Sequence, residues 1–94
     1  MRRAARTDAN QAEIVDAMRK VGASVSSLSA VGVGVPDLLV GWRGRTILVE
    51  VKDGTKSASR RVLTPDQEVW HREWRGGPVA IVDSVEAAMR VLRS

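Results

Sequence analysis

The chain has 94 residues, carries fifteen basic against eleven acidic side chains for a net charge of +4, and contains no cysteine. That length suits a single domain over residues 1–94, and the missing cysteines exclude disulfide staples and thiolate zinc sites. With one histidine, His71, a multi-histidine cage within one chain is excluded too, so any metal is held mainly by oxygen, which favours Mg²⁺ or Mn²⁺.

Residues 1–7 (MRRAART) read as a basic arm, and residues 8–21 read as a helix. Asp8 and Gln11 fit a capping pair, Ile14, Met18 and Val21 share one face, and Gly22 ends the helix. Residues 23–29 (ASVSSLS) read as a strand, and VGVGVP follows as a loop. Residues 37–42 (DLLVGW) and 46–52 (TILVEVK) read as two strands joined by a tight turn at Arg43-Gly44. A polar, basic loop spans 53–63. Thr64 then caps a helix that has Pro65 at its first position, Gln67 completing a capping box, and Gly76-Gly77 as its stop. Residues 78–82 (PVAIV) read as a buried strand. Ser84 caps a last helix with Val85, Ala88, Met89 and Leu92 on one face. The expected order is αβββαβα, an α/β chain with helices packed on a small mixed sheet.

If Arg43-Gly44 is a two-residue hairpin turn, paired positions sum to 87 and Asp37 lies opposite Glu50. Facing residues on such a pair have Cβ atoms roughly 5 Å apart. The strand period of two puts Leu48, Glu50 and Lys52 on one face and turns Val49 and Val51 to the other. Two facing carboxylates repel, and a divalent cation between them removes the repulsion. Lys52 is placed to hold a water or a phosphate oxygen beside it, a set suited to phosphodiester hydrolysis. An edge hairpin with solvated charges is the competing reading of the same residues.

At these positions the sequence resembles the PD-(D/E)XK nuclease superfamily: Pro36-Asp37 and Glu50-Val51-Lys52 match its two signature elements. More narrowly it is similar to virus-type replication-repair nuclease (VRR-NUC) domains, over residues 8 to about 92. That likeness includes Glu13 on the first helix, Gly34-Val35-Pro36-Asp37, and Leu63-Thr64-Pro65-Asp66-Gln67. The resemblance implies a restriction-endonuclease-like fold with an αβββαβ core and a C-terminal helix. It implies that Asp37, Glu50 and the main-chain carbonyl of Val51 bind the metal and that Lys52 orients or activates the attacking water. It offers Glu13 as a further acidic group near the metal, against an exposed helix charge. It offers Gln67 as a group reaching the site or DNA, against its role in the capping box.

Twelve of the fifteen basic residues are arginine, which grips phosphate as a bidentate fork, so the charge balance points to nucleic acid. The candidate phosphate contacts are Arg2, Arg3, Arg6, Lys56, Arg60 and Arg61. His71 reads as a surface or DNA-facing residue. Trp70 and Trp74, one turn apart, read as core or dimer contacts, with Trp42 beside the hairpin turn. The expected activity is Mg²⁺-dependent cleavage of DNA by a homodimer, selective for branched or Holliday-junction-like substrates of the kind met in DNA repair. A nuclease without junction preference and a non-catalytic DNA-binding module are the alternatives. The apolar runs are too short for a membrane span and no apolar segment follows the N-terminal arginines, so a cytoplasmic protein is expected.

Overall fold

The computed structural model describes residues 8–94. Its elements run α1 (Gln11–Lys20), β1 (Ser24–Ser27), β2 (Leu38–Trp42), β3 (Arg45–Val51), a short 3-10 turn (Ala58–Arg60), α2 (Pro65–Glu73), β4 (Val79–Val82) and α3 (Val85–Arg93). The four strands form one sheet in the order β1-β2-β3-β4, antiparallel except for the parallel pair β3–β4. A parallel pair needs a crossover, and α2 lies within it.

Arg43 and Gly44 both have positive φ, 49° and 79°, as a two-residue type I′ turn requires. That turn fixes the register: Leu38 pairs with Val49 and Trp42 with Arg45, each pair summing to 87 as expected. One slip would exchange the faces of every side chain in β3. In the observed register Leu38, Val40, Ile47, Val49, Val51 and Val82 are buried and face α1 and α3, which contribute Ile14, Met18, Ala88 and Leu92 to the same core. Leu39, Leu48, Glu50 and Ile81 point to the opposite face, which α2 covers incompletely.

The caps of the later helices form as expected. Thr64 and Gln67 close both halves of a capping box on α2, and Ser84 Oγ accepts the Ala87 N–H at 3.1 Å. The start of α1 differs. The helix begins at Gln11, after Asn10, and has no side-chain cap. Asn10 instead donates its amide to the carbonyls of Lys52 (3.0 Å) and Asp83 (3.1 Å), tying the entrance of α1 to the ends of β3 and β4. Val21, expected on the buried face, is 46% exposed, because the helix ends one residue earlier.

Candidate active site

The site lies where β2 begins and β3 ends. Asp37 immediately precedes β2, and its Oδ2 accepts the N–H of Val51 at 2.8 Å. The carboxylate therefore takes a place in the strand ladder that a backbone carbonyl would otherwise fill. In a strand the N–H and C=O of one residue point to the same edge, so the Val51 carbonyl faces the Asp37 side as well. The register places Glu50 next to Asp37 on the outer face of the sheet, followed by Lys52.

Glu50 is 2% exposed and Lys52 is 8% exposed. The lysine Nζ lies 3.8 Å from Glu50 Oε2 and donates to Gln67 Oε1 at 2.7 Å. Gln67 Nε2 donates to Glu50 Oε2 at 2.9 Å, while Gln67 Oε1 also accepts the Thr64 N–H at 2.9 Å. One amide thus completes the capping box and also bridges the buried lysine and glutamate. Glu50 Oε1 is buried with no hydrogen-bond partner among the described residues. Burial, and then the neighbouring Asp37 by hydrogen bonding and by charge, push the Glu50 carboxyl up to about 8; Lys52 pulls in the opposite direction. An orphaned carboxylate oxygen of this kind calls for a cation or a proton.

These residues open onto a cleft of about 860 Å³ lined by Asp8, Asp37, Glu50, Lys52, Lys56, Ser59, Val62 and the start of α2. Asp8 is a residue that the sequence reading missed. The sequence pattern offers it as a helix cap, but the later start of α1 leaves its side chain at the cleft. Burial raises its carboxyl pKa, opposed by Lys52 and reinforced by Asp37. Glu13 is not brought here. Burial of Ile14 and Met18 fixes the rotation of α1 and leaves Glu13 exposed over a separate hollow with Asp53 and the start of α3.

Of the candidate phosphate contacts, Lys56 lines the cleft, whereas Arg61 lies 3.8 Å from Asp83 and does not. Arg2, Arg3, Arg6 and the side chain of Arg60 lie outside the described residues. His71, expected at the surface, is half-buried one turn beyond Gln67. Its Nε2 is buried without a partner among the described residues, and burial, then the Lys52 charge, lowers its pKa. Trp70 and Trp74 stack on each other at 4.8 Å between ring centroids. Trp42 packs partly against the core, with the Arg43 guanidinium 4.8 Å above its ring.

Among the described residues no three His, Asp or Glu side chains converge closely enough to hold a metal by themselves. The cleft instead offers the carboxylates of Asp37, Glu50 and Asp8, Glu50 Oε1 being unpartnered among the described residues, with the Val51 carbonyl on the Asp37 side of β3. That set fits a hard cation that keeps several waters, as Mg²⁺ does.

No known family profile matches the sequence, and no curated protein matches it. Among solved structures, one described as a VRR_NUC domain aligns with a TM-score of 0.65 and 27% sequence identity, covering 92% of this chain and 97% of that one. The paired motif, the register that assembles it and this likeness in both fold and sequence support a VRR-NUC assignment for the chain, whose mixed α/β sheet matches the fold of that nuclease domain.

Proposed function

We propose that this protein is a divalent-metal-dependent deoxyribonuclease in which Asp37, Glu50 and the Val51 carbonyl hold Mg²⁺ or Mn²⁺. The observation that carries the reading is the buried, partly orphaned Glu50 carboxylate beside Asp37, with Lys52 in reach. A bound divalent cation supplies a polarised phosphoryl oxygen and a water of lowered pKa. Lys52 orients the attacking water or steadies negative charge growing on the phosphoryl group. Gln67 holds Lys52 and Glu50 in place, since its amide contacts both. Asp8 takes the part expected of Glu13, a third carboxylate at the cleft. The products are a phosphate monoester and a hydroxyl end, formed by adding water across one P–O bond.

The substrate we favour is branched DNA, cut by a homodimer. The outer face of the sheet and the adjoining helix leave Leu39, Val69, Trp74 and Ile81 each about 40–50% exposed, an apolar surface beside the cleft. Two copies joined there present two cleavage centres to two strands. The test is cleavage of labelled four-way junction, flap, duplex and single-stranded DNA with Mg²⁺ or Mn²⁺. Junction or flap cutting is expected to exceed duplex cutting. Equal rates on all substrates would remove the branch selectivity, and no cutting of any would favour a binding module.

A further inference from the structure

We infer that the turn Gly32–Val35 is a wedge that enters DNA between stacked bases, with Val33 at its tip. The inference rests on the nuclease reading above and names the part of the substrate that the site's rim engages. The Gly32 carbonyl accepts the Val35 N–H at 3.1 Å, and the two central residues both have positive φ, Val33 at 48° and Gly34 at 84°. That is a type I′ turn, whose central positions suit glycine, asparagine or aspartate. A β-branched valine there is a true outlier. Val33 is also 77% exposed, and Val31, two residues earlier, is 58% exposed. Strain and apolar exposure both oppose valine at this position, and it makes no contribution to the core in return. A strained, exposed apolar residue beside a functional site points to an external partner.

The base of the turn is firmly held. Leu28 N–H donates to the Asp37 carbonyl at 2.7 Å, Val31 N–H donates to the Leu28 carbonyl at 2.9 Å, and Pro36 is buried. Gly34 packs against the first turn of α2 so closely that a Cβ there would overlap the Asp66 carbonyl and lie 2.9 Å from the Gln67 nitrogen. The tip therefore projects from a rigid foot that touches the helix carrying Gln67, four residues before Asp37. Val62, 61% exposed, puts an aliphatic side chain on the cleft itself. Valine offers nothing to a phosphate. Next to a phosphodiester-cleaving centre, the apolar surface it can meet is the face of a base, and aliphatic side chains that enter a base step unstack and kink it.

The experiment places 2-aminopurine beside the branch point of a junction and follows its fluorescence with protein in Ca²⁺ instead of Mg²⁺. The native protein is expected to raise the fluorescence as the base unstacks. Val33→Asn, which suits the left-handed backbone, is expected to melt no lower than the native protein. It should nonetheless lose the fluorescence rise and about tenfold in affinity for the branched DNA, the scale of burying one aliphatic side chain. Val33→Gly is expected to behave alike in the DNA assay. A variant that binds and unstacks as the native protein does would overturn the wedge while leaving the nuclease reading intact. A halved light-scattering mass for Val33→Asn would assign the tip to a contact between copies and also overturn it. Native protein that neither binds nor cuts DNA would remove both readings.

Discussion

At Glu50, burial and a neighbouring carboxylate act in the same direction. The folded protein holds this proton more tightly than the unfolded chain does, with the carboxyl raised from 4.5 to about 8. Stability from this group is complete below about 4.5 and is lost as pH rises through about 8. The metal-free protein is therefore expected to melt at progressively lower temperature across that interval. Added Mg²⁺ should remove most of the slope, and Glu50→Gln should remove it without metal. A metal-free melting temperature that rises over the interval would contradict the burial argument. The task proposed for Lys52 is different: it steadies charge or water beside the cation and is not a ligand. Lys52→Ala is expected to lose roughly two to three decades in cleavage rate, the usual scale for one electrostatic stabiliser, while calorimetric metal binding persists. Residue by residue, the motif pair and the Gln67 capping box were legible in the sequence because they depend on local spacing. The dual use of Gln67 was not, since it requires knowing that α2 begins against the end of β3.

Among the α-helices, α2 differs from the others in burying no residue. It is held at its first turn, by the Gln67 hydrogen bonds and by the close approach of Gly34 to Asp66 and Gln67. Gly34→Ala would add both an unfavourable left-handed alanine, worth roughly 1–2 kcal/mol, and an overlap with the Asp66 carbonyl. The first turn of α2 must then move, and Gln67 with it. The expected result is a cleavage loss larger than the stability loss explains, read as kcat at a temperature where the variant remains folded. Retained activity with lowered stability would show that α2 tolerates displacement. The hairpin was readable because Arg43-Gly44 is a local signal that sets the whole β2–β3 register. The start of α1 was not, because Asn10 is engaged by carbonyls more than forty residues away in sequence. The same long-range tie delivers Asp8 to the cleft. The rotation of α1, set by Ile14 and Met18 against the sheet, carries Glu13 away from it.

Over the whole molecule, one sheet face is covered by α1 and α3, and the other carries the proposed cleavage centre at one end with partly uncovered apolar residues beyond it. If two copies join through that surface, light scattering at micromolar protein should give twice the 10.2 kDa chain mass. Ile81→Glu should restore the single-chain mass. Full activity at 10.2 kDa would rule out a dimer requirement. Trp42, grouped in the sequence reading with the interface tryptophans, instead packs partly against the monomer's own core. No helix among the described residues is long and apolar enough to cross a membrane. The central claim is that Asp37 and Glu50 act together as the cation-binding pair of a DNA-cutting centre. The most direct measurement compares Mg²⁺-dependent cleavage of a labelled junction by native protein, Asp37→Asn and Glu50→Gln, each checked for folding by circular dichroism. Cleavage is expected from the native protein with metal, none after chelation, and none from either folded variant; near-native cutting by either variant would contradict the assignment.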